Sequence, residues 1–188
     1  MLDIEQPDEL LAYLRETNRL APGEEALCTP LSGGVSNRTV RVDRRHGAGA
    51  SWVLKQALPK LRVPEDWFCD PARIEREALG LHWLAQLAPP GSVPAEIFVD
   101  PEQRLLAMEA VPQPHENWKQ QLLTGQVERA YVEQFGSLLG QVHRRSSEQR
   151  AELQALFAER SYSKACVLSL IIASVPRAIC LRRFSCRN

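Results

Sequence analysis

The sequence predicts an α+β fold in which a five-stranded antiparallel sheet with one main helix is followed by further helices. Five short segments rich in apolar and β-branched residues are separated by Gly or Pro turns. A longer amphipathic segment lies between the third and the fourth of them, and helical spacing dominates after the fifth. With 188 residues, the chain can bury one substantial core, or one small domain and part of a second.

The first three strands follow a short helix. Residues 7–17 place three leucines at helical spacing, which predicts an amphipathic helix. Strands are then predicted at residues 26–31, 37–43 and 51–56, separated by Ser-Gly-Gly and His-Gly-Ala-Gly turns. Because consecutive strands joined by short turns pair antiparallel, these three strands should be neighbours in one sheet.

The main helix is expected over residues 70–88. Asp70 is a good N-cap, and Pro71 suits the first helical position. Apolar residues then recur at i, i+4, i+7 and i+11, and they predict a core-facing stripe of Ile74, Ala78, Leu81 and Ala85. The Pro-Pro-Gly sequence that follows ends the helix.

Two more strands lead into a helical region. The strands are predicted at residues 95–100 and 104–110, joined by a Pro-Glu-Gln turn. Residues 111–119 contain two prolines and indicate a connector that leaves the sheet. Helices are expected at residues 127–144 and 147–159. The first of these helices places four apolar side chains on one face: Phe135, Leu138, Leu139 and Val142.

Charge and cysteine content argue against several classes of protein. Acidic and basic residues number 23 each, so no global positive field attracts nucleic acid or anionic lipid. The longest apolar run, residues 165–175, is shorter than the roughly 20 residues that span a bilayer. The five cysteines lack metal-ligand spacing, and the acidic N-terminus does not resemble a secretory signal. We therefore expect a cytoplasmic protein with no nucleic-acid partner and no membrane partner.

The last 26 residues differ in kind from the rest of the chain. Residues 163–188 contain no Asp or Glu, five Lys or Arg and three of the five cysteines. They could form a basic tail for an anionic partner, but a segment translated out of frame explains the abrupt change better. We expect three parts: a sheet domain at residues 1–110, a connector with the first helices at 111–162, and this atypical tail.

A glycine-containing loop, a strand lysine and a helical carboxylate carry the chemistry, in that order along the chain. The loop, called the glycine loop below, consists of Ser32, Gly33, Gly34, Val35, Ser36 and Asn37. Glycines let main-chain amides approach phosphate oxygens closely, and a lysine can contact the same oxygens. Alone, this loop is more typical of a hairpin turn, because it matches neither G-x-G-x-x-G nor the Walker A pattern.

Lys55 ends an otherwise apolar strand, where its burial would be costly without a partner. The next helix offers Glu75 and Glu77. Glu77 follows a core-facing isoleucine by three residues and can border the buried face, whereas Glu75 points away from it. We predict that Glu77 holds Lys55. In the alternative, both glutamates are solvated and pair locally with Arg73 or Arg76.

These residues resemble those of the aminoglycoside phosphotransferase and methylthioribose kinase superfamily, whose fold is protein-kinase-like. The resemblance is carried by Val-Leu-Lys-Gln-Ala-Leu-Pro at residues 53–59, Leu-Arg-Val at 61–63 and Ala-Arg-Ile-Glu-Arg-Glu-Ala-Leu at 72–79. A looser match continues at residues 105–110 and 138–143. The resemblance implies a protein-kinase-like N-lobe followed by the helices of a truncated C-lobe.

The same resemblance implies a role for each candidate residue. ATP would be the cofactor, and a small molecule would be the phosphate acceptor. Lys55 would contact the α and β phosphates, Glu77 would hold Lys55, and the glycine loop would cover the nucleotide. Met108, Glu109 and Ala110 would form the hinge, where main-chain groups of the last two would bind the adenine edge.

Two departures from the superfamily pattern limit what the resemblance implies. The glycine loop differs from the Asp-Gly-Asn-type loop of methylthioribose kinase, so the resemblance does not single out that sugar as the substrate. The sequence also contains no His-Gly-Asp catalytic loop, and no later Asp-containing metal motif is recognisable in it. We therefore predict no catalytic residue and no metal ligand in this chain, although the intact family would use magnesium.

Three hypotheses about function follow. In the first, the chain is the nucleotide-binding part of an ATP-dependent small-molecule hydroxyl kinase, truncated and inactive alone. Its C-lobe helices would expose apolar faces and could self-associate. In the second, it is a non-catalytic nucleotide-binding or interaction module. A complete enzyme with unrecognised catalytic residues is the least favoured, because the tail offers no acid.

Overall fold

The computed structural model describes residues 2–32, 34–45, 51–115 and 118–158. Contacts divide the chain into two compact units between Pro112 and Gln113. Within its described residues, the first unit contains two helices and five strands: α1 (Pro7–Glu16), β1 (Ala26–Pro30), β2 (Asn37–Arg44), β3 (Trp52–Ala57), α2 (Arg73–Leu87), β4 (Glu96–Asp100) and β5 (Leu105–Glu109).

The five strands form one antiparallel sheet in the order β1-β2-β3-β5-β4. The third strand is therefore central, and Lys55 lies opposite Thr39 of β2 on one side and Leu106 of β5 on the other. All five predicted strands are present within one or two residues of their expected ends. The predicted α+β class, a five-stranded antiparallel sheet with one main helix, is confirmed.

Side chains that alternate along the strands build a core on each face of the sheet. On the α1 face, the buried set is Leu10, Leu14, Val40, Val42, Trp52, Leu54, Leu105 and Ala107, among others. On the α2 face it is Ala57, Ile74, Ala78 and Leu106. Each fully buried leucine contributes about 1.5–3 kcal/mol, so both helices are fixed mainly by apolar burial. Lys55 has the same parity as Ala57 and therefore lies on the α2 face.

The first helix forms where the sequence predicts it. Pro7 occupies a first-turn position, Asp8 and Glu9 complement the N-terminal end of the helix dipole, and Arg15 complements its C-terminal end. A polar contact adds to the docking of α1: the Tyr13 hydroxyl donates a hydrogen bond to Asp100 Oδ2 of β4, at 2.5 Å.

The start of the second helix differs from the prediction. Ala72 is the N-cap, not Asp70, and α2 begins at Arg73. The residues before it form a tighter turn, in which Arg73 N–H donates to the Asp70 carbonyl and Ile74 N–H to the Pro71 carbonyl, three residues back in each case. The Asp70 side chain still satisfies one end group, because its Oδ1 accepts from Ala72 N–H at 2.8 Å.

The core-facing stripe of α2 is correct in its first half only. Ile74 and Ala78 are buried and Leu81 packs against them, but Ala85 is exposed. Trp83 and Leu87 are buried instead. At 100° per residue, Trp83 lies about 180° from Ile74 around the helix. The later turns of α2 are therefore buried on a different side from the first turns. A single apolar stripe extended along the helix does not predict the burial of this second side.

The second unit contains α3 (Trp118–Leu123), α4 (Arg129–Glu148) and α5 (Arg150–Leu156). The two longer helices occur where they were expected, with ends that differ by a few residues. The short α3 was missed, because it lies partly in the predicted connector and six residues are too few to display a helical period. The Trp118 and Phe135 rings pack at 5.6 Å between centroids and join α3 to α4.

Helix α4 has no buried residue among those the structure describes. Phe135, Leu138 and Val142 are half-buried, and Leu139 is 41% exposed. No helix in the described part of the chain is both long and apolar enough to cross a membrane. The apolar run at residues 165–175 and the atypical tail at 163–188 lie outside the described residues.

Candidate functional site

Lys55 and Glu77 form an ion pair between the central strand and α2. The Lys55 Nζ donates a hydrogen bond to Glu77 Oε1. The carboxylate side chain is only 10% exposed, whereas the lysine side chain is 29% exposed. The ammonium group carries three N–H donors, and the contact with Glu77 uses one of them. The pair therefore has a buried anion and a cation that remains accessible.

Glu77, not Glu75, is the partner of the strand lysine, as the helical geometry predicted. Glu75 is exposed and pairs with Arg104 at 3.1 Å. The two glutamates differ by about 200° around the helix, so only one of them can face the sheet. The alternative in which both were solvated is wrong for Glu77.

The glycine loop connects β1 to β2 as a hairpin. Its base is closed by the Leu31 N–H, which donates to the Thr39 carbonyl at 2.8 Å. Gly34 lies close to the start of β2, because a Cβ added there would be 3.1 Å from the Asn37 carbonyl oxygen. Ser32, Gly34 and Val35 are exposed. Gly33, which was also predicted to belong to this site, lies outside the described residues.

Main-chain hydrogen bonds fasten the glycine loop to the segment that follows β3. Leu58 N–H donates to the Ser36 carbonyl at 3.0 Å, and Arg62 N–H donates to the Val35 carbonyl at 2.8 Å. These two bonds hold consecutive residues of the loop. The loop is thus hydrogen-bonded to the segment after β3 and is not merely the tip of a hairpin.

An ion pair in turn holds the segment after β3. Arg62 donates two hydrogen bonds to the Glu5 carboxylate, at 2.8 and 2.5 Å. The hydrogen bond from Arg62 lowers the pKa of Glu5, and the same bond raises the pKa of Arg62. Both groups are partly exposed, so the pair positions the segment more than it stabilises the fold.

The last residue of the glycine loop contacts the ion pair directly. Asn37 Nδ2 donates to Glu77 Oε2 at 3.3 Å, while Glu77 Oε1 accepts from Lys55. Asn37 has the same strand parity as Thr39, which lies opposite Lys55. The structure therefore brings together three predicted residues from the loop, the central strand and the helix.

Arg73 completes this network, although it was predicted only as a possible local partner of a solvated glutamate. It is 7% exposed and donates hydrogen bonds toward the glycine loop, to the Ser36 carbonyl and to Asn37 Oδ1. Its position four residues before Glu77, on the same helical face, was the signal that could have identified it.

The predicted hinge residues end β5. Met108 lies opposite Val53 of β3 and packs against the core on the α2 face. Glu109 N–H donates to the Ala95 carbonyl at 2.9 Å, and Ala110 N–H donates to the Ser51 carbonyl at 2.7 Å. Both N–H groups are engaged within the unit, so main-chain contacts from these two residues to an adenine edge would come from their carbonyl oxygens.

A family comparison covers most of these residues. The model of the phosphotransferase enzyme family matches residues 27–171, a range that includes the glycine loop, Lys55 and Glu77. The chain belongs to the phosphotransferase enzyme family. The superfamily resemblance of the segment around Lys55 is thereby confirmed.

A solved structure similar to the chain is that of a putative fructosamine-3-kinase from Thermobifida fusca YX-ER1. The two chains are 24% identical, with a TM-score of 0.37. The match covers 55% of this chain and 32% of the other, so the matched part of this chain corresponds to about a third of that protein's length. No curated protein matches the chain.

The arrangement in this member of the phosphotransferase family suits an anionic ligand with oxygen acceptors. The buried Glu77 carboxylate directs Lys55, and Gly34, close to the start of β2, lets main chain approach a ligand closely. In the described part of the chain, no group of three or more His, Cys, Asp or Glu residues could hold a metal ion. The residues present therefore fit the phosphates of a nucleotide, and no ligand for magnesium is assigned among them.

Proposed function

We propose that this chain is the ATP-binding part of a small-molecule hydroxyl kinase within the phosphotransferase family. The observation that supports this proposal most is the Lys55–Glu77 pair, connected through Asn37 to the glycine loop. A lysine from a strand, a helical glutamate and a covering loop are the parts that orient ATP phosphates in kinases. The acceptor is a small molecule of the kind that methylthioribose kinase-like or aminoglycoside phosphotransferase-like enzymes phosphorylate.

Lys55 supplies positive charge to the phosphate oxygens. Because Glu77 accepts one N–H, the ammonium is aimed and has donors left for oxygens of the α and β phosphates. The partial exposure of Lys55 avoids the large desolvation penalty that a fully buried pair would meet. Phosphoryl transfer depends mainly on such positioning and charge neutralisation.

The glycine loop covers the phosphates from the β1–β2 side of the sheet. Its exposed residues Ser32 and Gly34 are accessible to a ligand, while Val35, Ser36 and Asn37 are held by hydrogen bonds. A loop fixed at one end and open at the other can approach the nucleotide without losing its own position. Met108, Glu109 and Ala110 contribute the adenine end, through the carbonyl oxygens of the last two.

We propose further that the chain does not transfer phosphate by itself. Its 188 residues include no His-Gly-Asp sequence, so the base that accepts the proton of the acceptor hydroxyl is not identified. In the alternative, the chain is a non-catalytic module that binds nucleotide through the same residues and takes no part in phosphate transfer. Both functions predict nucleotide binding by the chain.

Nucleotide titration tests the binding site. ATP and adenosine are titrated into the wild type, Lys55→Met and the matched control Lys60→Met, whose lysine is exposed and pairs with Asp66. Hydrogen bonds to charged groups contribute about 1.5–3 kcal/mol, so Lys55→Met should bind ATP about tenfold or more weakly. The affinity of Lys55→Met for adenosine should change little. The Lys60→Met variant should bind both ligands nearly as the wild type does. Equal ATP affinity in the wild type and Lys55→Met would reject the site.

A turnover assay separates an active enzyme from an inactive one. The chain is incubated with ATP, magnesium and either methylthioribose or an aminoglycoside, and acceptor phosphorylation is followed. We expect none above the Lys55→Met background. Phosphorylation that depends on Lys55 would overturn the proposed inactivity and leave the ATP site intact.

We also propose that the chain self-associates through α4. Tyr131, Val132 and Leu139 are exposed apolar residues on this helix, and Val127 before it is exposed as well. Large exposed apolar patches are unusual on monomeric proteins. The proposal depends on the amphipathic pattern of α4 and is independent of the nucleotide site.

A further inference from the structure

We propose that Arg73 is a positioning residue that fixes the glycine loop against α2, and so sets the loop's place relative to Lys55. The inference rests on the proposed ATP site and adds a residue that the Lys55–Glu77 pair does not require. Arg73 acts through the loop and contacts no phosphate in this role.

The contacts of Arg73 divide between two segments. Its Nη1 donates to the Leu58 carbonyl at 3.0 Å and to the Asp70 carbonyl at 3.2 Å, at the two ends of the segment between β3 and α2. Its Nη2 donates to the Ser36 carbonyl and to Asn37 Oδ1, the latter at 3.4 Å. One guanidinium group therefore joins the glycine loop to the segment that leads into α2.

The chemistry of these acceptors requires arginine. A buried guanidinium must have its N–H groups satisfied, and here three acceptors are main-chain carbonyls. The guanidinium fork directs donors from two terminal nitrogens in fixed, diverging directions, so it can serve two segments at once. A lysine ammonium is a single compact centre and could reach only one segment well.

The main chain at the end of the glycine loop is held from two sides. The Ser36 carbonyl accepts from Leu58 N–H and from Arg73, and a carbonyl oxygen has two lone pairs for such donors. Asn37 then presents its amide oxygen to Arg73 and its amide nitrogen to Glu77. Loss of Arg73 would leave the Ser36 carbonyl with Leu58 N–H as its remaining donor and the Asn37 amide held from one side only.

The experiment compares Arg73→Met and Arg73→Lys with Arg104→Gln, whose arginine pairs with Glu75 on the exposed side of α2. Hydrogen exchange of the nucleotide-free chain is measured over residues 31–39 and, as an internal reference, over β5. ATP and adenosine affinities are measured on the same samples. The methionine keeps most of the aliphatic volume while removing every hydrogen bond of the guanidinium.

Faster exchange confined to residues 31–39 is expected in Arg73→Met, together with about tenfold weaker ATP binding and nearly unchanged adenosine binding. Arg73→Lys should be intermediate in both measurements, and Arg104→Gln should match the wild type. If Arg73→Met does not fold, the same comparison is made with Arg73→Lys.

Two results would overturn the inference. One is unchanged exchange in residues 31–39; the other is an equal rise in exchange over β5 with equal loss of ATP and adenosine binding, which indicates general destabilisation. A wild type that does not prefer ATP to adenosine would reject the proposed ATP site, and the exchange data alone would then decide whether Arg73 fixes the loop.

Discussion

Asn37 donates a hydrogen bond to Glu77 at 3.3 Å, and this contact joins the glycine loop to the carboxylate that holds Lys55. Each oxygen of Glu77 thus serves a different element: Oε1 accepts from the central strand, and Oε2 accepts from the end of the loop. A shift of α2 would move both partners together. The loop and the lysine are therefore expected to respond as one unit when Glu77 is changed.

Replacement of Glu77 by glutamine tests this coupling between the glycine loop and Lys55. Glu77→Gln keeps the size of the side chain but removes the charge that orients the Lys55 ammonium. We expect ATP affinity to fall about tenfold, since charged hydrogen bonds contribute about 1.5–3 kcal/mol, and the melting temperature to fall by a few degrees. Isothermal titration and thermal unfolding measure the two effects.

The matched control for that change is Glu75→Gln. Glu75 lies two residues away on the same helix but is exposed and pairs with Arg104. Exposed pairs contribute about 0–1 kcal/mol, so ATP affinity and stability should both remain near the wild-type values. Equal losses in the two variants would show that general helix charge, not the contact with Lys55, governs binding.

Gly34 is expected to tolerate no side chain without movement of the loop. A Cβ there would be 3.1 Å from the Asn37 carbonyl and 3.7 Å from Thr39 Oγ1, so Gly34→Ala must displace the start of β2 or the loop itself. We expect weaker ATP binding and lower stability, by about 1–3 kcal/mol of overpacking. Titration and chemical unfolding measure both quantities.

Replacement of Gly80 by alanine should have the opposite effect on stability. Gly80 lies within α2, and a Cβ there meets nothing within 4 Å. Gly80→Ala should therefore stabilise the helix by roughly 0.5–1 kcal/mol and leave ATP affinity unchanged. A stabilising Gly34→Ala change, or a destabilising Gly80→Ala change, would contradict the described loop and helix.

Much of the sheet and the ion pair could be predicted from local pattern. Leu54, Lys55 and Gln56 alternate between two faces, so a lysine on the face of the following helix needed a partner from that helix. The offset between Glu75 and Glu77 around the helix then selected one glutamate. Both steps use the period of a single element, which a sequence displays directly.

The other features of the site depend on contacts between elements, and the periodic pattern of a single element does not reveal such contacts. Arg73 is buried because two loops converge on its guanidinium group, and neither loop has a pattern that indicates the other. Asp70 was misplaced as the N-cap because a tight turn precedes the helix. The N–H groups of Glu109 and Ala110 are likewise engaged by carbonyls of other segments, those of Ala95 and Ser51.

Acid should weaken the fold through Glu24. This buried carboxylate accepts hydrogen bonds from Arg44 Nε and from Ala21 N–H, and these bonds lower its pKa below the ordinary 4.5. A carboxylate whose pKa is lower in the folded state stabilises the fold above its unfolded pKa. That stabilisation is lost as the pH falls through the lower, folded pKa.

Urea unfolding between pH 6 and pH 3 measures this effect in the wild type and in Glu24→Gln. The wild type should be more stable by about 1–3 kcal/mol at pH 6, and the difference should narrow below pH 4.5. The Arg44→Met variant removes the main partner and should show a weaker dependence on acid than the wild type. A difference that stays constant or widens on acidification would contradict the role given to Glu24.

Self-association through α4 should depend on one face of that helix. Val132 and Leu139 are exposed and lie seven residues apart, so they project within about 20° of each other. Changing both to lysine should lower the weight-average mass in sedimentation experiments at high protein concentration, because charges cannot be buried in an apolar contact without a large penalty. The control is Gln134→Lys, since Gln134 is exposed and lies about 140° from Leu139 around the helix. A wild type that stays monomeric at all concentrations, or a control that dissociates as fully as the double variant, would show that this face does not drive association.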